Sequence, residues 1–321
     1  MPQQPLITVA IPTYNGAAFL EPALRSILEQ DGPEFDLLVC DDKSTDDTLN
    51  IVRSVAGTKA RIEQSEKQLG LAKNWNRCVS LSKTDWVTVF HQDDLMLPGH
   101  LASHARAIQA NREAGMIAGP ATAIDERGNP LPSSIVAPDH LGNAAKVYKP
   151  REFLRELAVE NPVRCSGVSL RRAVHKKLHG FDPALKYVVD WEFWIRLAAD
   201  YPVVWTGEPT VSFRWHTASE THRFKTGTQD IDEQLVLTLK LFTAEAFEPD
   251  EIDQLIKAWD NRQANGYLNR AYEASRAGNR PLLLKCLKKL AFSRPQTLLR
   301  CITEPRLGAR LLWGLVGGRS V

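Results

Sequence analysis

The first hundred residues alternate between two kinds of segment, and this rhythm limits the fold more than any other feature. Leu6-Ile-Thr-Val-Ala-Ile11 is a continuous apolar, β-branched run ended by Pro12, the pattern of a strand buried on both faces. Residues 17–28 then repeat apolar side chains at helical spacing. Residues 35–40 predict a second strand, 46–53 a second helix with acids at its positive end, 60–63 a short strand, 72–82 a helix and 86–90 a fourth strand. Strand and helix in this order require right-handed crossovers and a mainly parallel, Rossmann-like sheet flanked by helices. The predicted class is α/β.

Further along, residues 120–150 are loop-rich, with Pro120, Pro130, Pro132, Pro138 and Pro150, and 151–225 mixes helices with short strands. From about 229 the pattern is helical, with segments at 233–247, 250–262 and 281–292. The expected organisation is a mixed domain over 1–228, split into halves at about 1–115 and 116–228, followed by a helical extension over 229–321. No unit repeats three times, which argues against a solenoid.

A composition of 43% hydrophobic and 24% charged residues in 321 supports a sizeable core. Cys40, Cys78, Cys165, Cys286 and Cys301 form no CxxC pair, as expected of core fillers in a reducing compartment. The segment Met1-Pro-Gln-Gln-Pro5 lacks the basic-then-apolar pattern of a leader, and the apolar stretch at 311–316 is too short to span a bilayer. A cytoplasmic location is expected. Residues 276–321 carry ten Lys and Arg against Glu304 alone, a net +9 within a chain of formal +2, leaving −7 on residues 1–275.

Open parallel sheets bind ligands beyond the carboxyl ends of their strands. Three predicted strand ends carry polar clusters: Pro12-Thr-Tyr-Asn15, Asp41-Asp42 and Asp93-Asp94. Neither GxGxxG nor GxxxxGK[ST] follows a strand, so a phosphate site here needs another source of positive charge. Carboxylate-held Mg²⁺ or Mn²⁺ would supply it. Consecutive side chains of an extended strand point to opposite sides, so Asp93 and Asp94 should not both face one metal. One could ligate a cation while the other bonds a sugar hydroxyl; alternatively both are acids in a polar turn before Pro98.

Five segments occur in order: "ITVAIPTYNG", "LLVCDDKSTDDT", "GLAKNWNRC", "VTVFHQDDLMLPGHL" and "GFDPALKYVVDWEFWIRLA". As an ordered set over roughly residues 6–225 they resemble the family 2 glycosyltransferases, nucleotide-sugar-dependent enzymes of the GT-A fold. The resemblance implies inverting transfer of a sugar from a nucleotide-diphosphate sugar to an acceptor hydroxyl, with Mg²⁺ or Mn²⁺ as cofactor. Pro12, Tyr14 and Asn15 match the loop beside base and ribose, Tyr14 offering a ring to stack. Asp42 matches the acid that accepts from the base, while Asp41 looks structural. Lys73 and Asn74 match the loop-to-helix segment facing the nucleotide. Asp93 looks like a ribose or donor-sugar contact, Asp94 like the metal ligand and Asp190 like the catalytic base. Two departures stand out: His91 replaces an acid often found two residues before the paired aspartates, and Val189 replaces a Glu beside the base.

Other residues keep two readings. His216 matches a histidine near the diphosphate, binding metal or phosphate, or it is a hydrogen-bonded structural residue. Arg214 contacts phosphate or is an exposed arginine. Trp191 and Trp194 stack on an acceptor sugar or pack in the core. Ser166-Gly167 admits the donor sugar or forms a tight turn. His100 and His104, without a third ligand, are expected at the surface. The basic segment 276–321 suits an anionic membrane face, where each cation contributes about 1 kcal/mol, or forms a solvated helical cap. Nucleic acid is not an expected partner, because no aromatic-interleaved motif accompanies the charge. The family role suggests bacterial surface polysaccharide or lipid-linked glycan assembly. The alternative is a non-catalytic nucleotide-sugar-binding partner subunit, which would bind without turnover; a nucleotidyltransferase would need the missing glycine-rich loop.

Overall fold

The computed structural model describes residues 5–132, 141–242 and 246–293. Two compact units divide after His216, ahead of the change of pattern at 228. The first contains β1 (Ile7–Thr13), α1 (Leu20–Leu28), β2 (Phe35–Asp41), α2 (Thr48–Ala56), β3 (Ala60–Gln64), α3 (Leu71–Leu81) and β4 (Trp86–Val89). It continues through β5 (Leu95–Met96), α4 (His100–Ala110), β6 (Met116–Ala118), β7 (Ala121–Ile124), β8 (Pro130–Leu131), β9 (Lys146–Tyr148) and α5 (Phe153–Val159). It ends with β10 (Val168–Arg171), α6 (Arg172–Lys177), α7 (Val189–Asp200), β11 (Val203–Trp205) and β12 (Val211–Arg214). The second unit is helical: α8 (Glu220–Arg223), α9 (Gln229–Phe242), α10 (Pro249–Arg276) and α11 (Arg280–Ser293).

Among the described residues the main sheet has eight strands in the order β3-β2-β1-β4-β10-β6-β11-β9. The run from β3 to β4 is parallel, β10 runs antiparallel to both neighbours, and a smaller sheet follows the order β5-β12-β7-β8. This is the mixed, mainly parallel GT-A-type architecture with a helical C-terminal region.

Sequence accounts for most of these elements. β1 is covered on both sides and its residues are nearly all buried, as its unbroken apolar run requires. On α1 the buried set Leu20, Ala23, Leu24 and Ile27 has a helical period, while Glu21 and Arg25 pair on the outer face. α1 begins later than its periodicity suggests because the Phe19 and Leu20 amides both turn back to the Gly16 carbonyl. Just ahead of α2, Asp46 accepts from the Thr48 amide and hydroxyl at 3.1 and 2.5 Å and fixes the turn into the helix, whose N-cap residue Asp47 makes no side-chain cap bond. The expected helix 250–262 continues to Arg276, carried by the buried stripe Ala264, Tyr267, Ala271 and Ala274. It stops before Gly278, whose φ of 67° suits a helix end.

His100 and His104 overturn a surface expectation. Both are 0% exposed on the inward face of α4, with ring centroids 4.0 Å apart. Nδ1 of His100 meets Thr210 Oγ1 and Nδ1 of His104 meets Ser169 Oγ, each at 2.8 Å. Those hydroxyls make two polar rings tolerable in the core. Burial pushes His100 down to about 3 and His104 well below its ordinary value, so both stay neutral.

Register brings the strand ends together. Thr13 of β1 pairs with Asp41 of β2, and the Phe90 amide beyond β4 bonds the Ala10 carbonyl at 2.9 Å. The segments 12–15, 41–42 and 91–94 therefore emerge on one sheet edge.

Candidate functional site

The loops on this edge are bolted together before any ligand is considered. Asp41 accepts from the Thr13 hydroxyl (2.9 Å), the Ser44 hydroxyl (2.5 Å) and amide (2.9 Å), and Gln64 (3.2 Å). It is the structural member of its pair. Asp42 accepts from the Leu69 and Gly70 amides at 2.6 and 2.8 Å and from Ser65 at 3.2 Å, anchoring the loop that enters α3. A carboxylate has about four acceptor positions, which leaves Asp42 capacity for one more donor. Gly70 is required in that loop: its φ of 86° lies in the left-handed region.

The strand runs one residue past the expected stop at Pro12, which is partly covered, to Thr13, and Tyr14 beyond it is 43% exposed. The Tyr14 backbone is clamped by Gln92, which accepts from its amide at 3.0 Å and donates to its carbonyl at 3.2 Å. Asn15 adopts a φ of 46° and spends its side-chain oxygen on Thr45, accepting from the amide at 2.9 Å. On α3 Lys73 is exposed, whereas Asn74 is buried with its amide nitrogen on the Cys40 carbonyl at 2.9 Å. Its Oδ1 is sealed without a partner.

Residues 91–94 form a turn rather than extended strand, so the expected alternation fails: Asp93 and Asp94 both bring an oxygen to one cluster, while their other partners differ. Asp94 is 1% exposed, and both its oxygens accept: from Ser166 Oγ at 2.5 Å and the Arg214 amide at 2.9 Å. Burial and the neighbouring Asp93 charge push it up to about 6. Asp93 is the more open, with its Oδ2 2.9 Å from His216 Nε2. Burial works to raise Asp93, but the His216 hydrogen bond and the fields of His91 and His216 hold it below the usual value. His216 packs against Phe19 and has Nδ1 sealed without a partner, so it stands behind Asp93 as a carboxylate-holding imidazole. Arg214 is buried, with Nε on the Asp93 carbonyl (2.8 Å) and Nη1 on the Asp125 (3.0 Å) and Glu126 (3.3 Å) carbonyls. It is not an exposed arginine.

His91 completes the cluster. One ligand atom each from His91, Asp93 and Asp94 lie within 4.8 Å of one another. The His91 ring stacks on Trp75 at 5.0 Å, its Nδ1 is 3.8 Å from Asp94 Oδ2, and its buried Nε2 has no partner. One imidazole and two carboxylates are a donor set that fits a divalent cation of the Mg²⁺ or Mn²⁺ class, the nitrogen leaning toward Mn²⁺.

Asp190 lies in the first turn of α7. Its Oδ1 accepts from the Trp191 amide at 2.7 Å and its Oδ2 from Asn161 at 3.3 Å. Burial raises its pKa above the ordinary carboxylate value against the opposing pull of that amide, Arg164, His91 and Asn161. A carboxylate raised this way is a better proton acceptor. Trp191 and Trp194 are both buried; the Trp191 indole bonds the Leu157 carbonyl at 3.0 Å. Both belong to the core, which removes the sugar-stacking reading. Gly167 is needed for close packing, since a Cβ there would meet Val211 Cγ2 at 3.1 Å.

Ser166, Asn161 and Gln92 were not among the residues singled out for side-chain chemistry. Ser166 Oγ donates to Asp94 and accepts from the His91 amide at 3.1 Å, fixing both. Its sequence signal is weak: a small polar residue before Gly167 in "RCSGVSL", a stretch that also holds Arg164 and Ser169.

Residues 8–178 match the family described as Glycosyl transferase family 2. An uncharacterized protein of Mycobacterium tuberculosis is 29% identical over 269 residues, 80% of this chain and 82% of its own. A GalNAc(5)-diNAcBac-PP-undecaprenol beta-1,3-glucosyltransferase of Campylobacter jejuni is 34% identical over 103 residues, 31% of this chain and 33% of its own. Among solved structures, S. aureus TarS 1–349 in complex with UDP-GlcNAc superposes with a TM-score of 0.65 at 18% identity, covering 91% of this chain and 90% of that one. A mannosyltransferase of Pyrobaculum calidifontis, in complex with GDP-Man and Mn²⁺, gives 0.54 at 19% identity over 98% and 87%. These likenesses establish the fold, and the sequence match establishes the family: the chain belongs to glycosyl transferase family 2 and is a glycosyltransferase.

Proposed function

We propose that the chain transfers a sugar from a nucleotide-diphosphate sugar to an acceptor hydroxyl with inversion, in a reaction that depends on Mg²⁺ or Mn²⁺. The observation that carries this is the convergence of Asp190 with the His91–Asp93–Asp94 cluster. The segment from Asn161 to Ser166 touches Asp190 at one end and Asp94 at the other. Complexes of TarS with UDP-GlcNAc and of the P. calidifontis enzyme with GDP-Man and Mn²⁺ support a nucleotide-sugar donor.

Asp94, oriented by Ser166 and the Arg214 amide, would hold the cation together with His91 and Asp93, while His216 steadies Asp93. Bound there, the cation would neutralise charge on the leaving nucleoside diphosphate. Tyr14, exposed beside Asn15, offers a ring to the base, with Pro12, Asp42, Lys73 and Asn74 on the same nucleotide side. Asp190 takes the proton of the acceptor hydroxyl, whose oxygen bonds the anomeric carbon from the face opposite the departing diphosphate. A single displacement inverts that centre.

The acceptor class we favour is a glycan or lipid-linked oligosaccharide of a bacterial surface polymer; the C. jejuni relative's name gives that protein a PP-undecaprenol-linked acceptor. Among the described residues no helix is long and apolar enough to cross a membrane. A peripheral contact with an anionic inner membrane face is the reading we favour for 276–321. On α11 Leu284 and the 94% exposed Phe292 face outward among exposed Lys285, Lys288 and Lys289. The cations at Arg294, Arg300, Arg306, Arg310 and Arg319 lie outside the described residues.

The test is incubation with a panel of nucleotide sugars and Mn²⁺, following nucleoside diphosphate release and the anomeric configuration of product by NMR. Inverted product supports the proposal. Tight nucleotide binding without turnover under any acceptor would identify a non-catalytic subunit instead.

A further inference from the structure

Arg164 sits in the middle of the segment that spans the site. Three residues before it, Asn161 bonds Asp190; two residues after it, Ser166 bonds Asp94. The guanidinium lies over the ring of Phe213 at 5.2 Å, and Phe213 adjoins Arg214, whose amide holds Asp94. Its position is thus the gap between the base and the paired aspartates.

How the chain uses its other interior arginines shows what is unusual here. Arg214 donates to three carbonyls, and Arg196 forms a two-pronged pair with Glu192 while bonding the Leu178 and Gly180 carbonyls. The Arg164 side chain makes no hydrogen bond or ion pair with any other described residue. Its Nε is sealed from solvent without a partner, whereas its terminal nitrogens stay open. Asp190, Tyr187, Asp94 and Glu160 act on it electrostatically without pairing with it, keeping it charged against burial. A cation with an idle fork of donors, backed by an aromatic ring and set between Asp190 and Asp94, suits an oxyanion. Guanidinium matches phosphate and carboxylate two bonds at a time.

We propose that Arg164 is an anion-recognition residue, receiving a phosphate or carboxylate oxygen of the substrate between Asp190 and the Asp93–Asp94 pair. This rests on the glycosyltransferase reading. The oxygen comes either from the donor diphosphate or from an acidic group on the sugar.

Calorimetric titration of full-length wild type, R164Q and R164K with Mn²⁺ present tests this. The probes are UDP, GDP, uridine, guanosine, inorganic pyrophosphate, UDP-glucose and UDP-glucuronate. R164Q should bind the relevant anion at least about tenfold more weakly while binding the matching nucleoside as wild type does. R164K, which keeps charge but not the fork, should fall between, and thermal melts of R164K close to wild type exclude a folding defect. Loss on the diphosphates and pyrophosphate assigns the donor diphosphate; loss confined to UDP-glucuronate assigns a sugar carboxylate. Affinities within twofold of wild type for every anion in both variants overturn the proposal. Wild type that binds no nucleotide overturns the glycosyltransferase reading, and this proposal with it.

Discussion

The two histidines buried beneath the sheet should make the protein acid-labile in a calculable way. His100 titrates at about 3 in the folded chain and His104 well below its ordinary value, against about 6.5 when unfolded. Both groups have folded values depressed below unfolded ones, so between those values the unfolded chain binds more protons. Their contribution is fully present above pH 6.5 and is lost as pH falls. His100 costs about 2 kcal/mol between pH 7.5 and pH 5 by proton linkage, and His104, lowered in the same direction, adds to it. Asp94, raised to about 6, and Asp190, also raised, act in the opposite sense, because the folded chain protonates them first. Those groups are common to wild type and variant, so a comparison cancels them. In the double variant His100→Asn, His104→Asn, an amide can still meet the Thr210 and Ser169 hydroxyls but cannot gain a proton. Lost packing will lower its stability by a roughly constant amount at every pH. Urea unfolding followed by circular dichroism from pH 7.5 to 5 reads the slope. Wild type should lose at least about 2 kcal/mol more than the variant over that interval. Parallel curves would refute the assignment of neutral buried imidazoles.

Four further outcomes are expected. Asp190→Asn should lower kcat by about 10²- to 10⁴-fold, the range for a general base, with nucleotide affinity unchanged by calorimetry; joint loss of both would count against a base role. Because burial raises Asp190, the acid limb of the wild-type kcat/KM profile should lie above the ordinary carboxylate value. Ser166→Ala frees both the Asp94 carboxylate and the His91 amide, and should weaken Mn²⁺ binding about 10- to 100-fold, the range for groups that orient metal ligands. His91→Asp makes the donor set all oxygen and should lower the preference for Mn²⁺ over Mg²⁺. Trp75, stacked on His91 at 5.0 Å, reports wild-type Mn²⁺ binding through its fluorescence; an unaltered preference would remove His91 from the site.

How much of this was legible depended on the range of the interactions. Strand and helix alternation is a local pattern, so β1 through β4 and the edge they share could be read directly. The three polar clusters were visible because each interrupts an apolar run. What each acid does was not, because the deciding partners are remote: Ser166 is 72 positions from the Asp94 it bonds, and Leu69 is 27 from Asp42. The histidines of "HLASHARAI" read as a polar outer face, since the hydroxyls that make their burial tolerable lie on other elements, 110 and 65 positions away. The two tryptophans beside Asp190 stayed open between sugar platform and core for the same reason: a site's neighbours in sequence need not line it. Arg164 carried a usable signal, a lone charge in "NPVRCSG", but its meaning needed the absence of partners that only the structure reveals.

Gathering of His91, Asp93 and Asp94 around one cation opposite Asp190 is the claim on which the proposed chemistry rests. Anomalous diffraction from crystals grown with Mn²⁺ and a nucleotide sugar that the protein binds tests it directly. A manganese peak bridging these side chains and the diphosphate oxygens, with the anomeric carbon turned toward Asp190, is the expected result. Donor bound on this edge with no manganese between diphosphate and protein would contradict it.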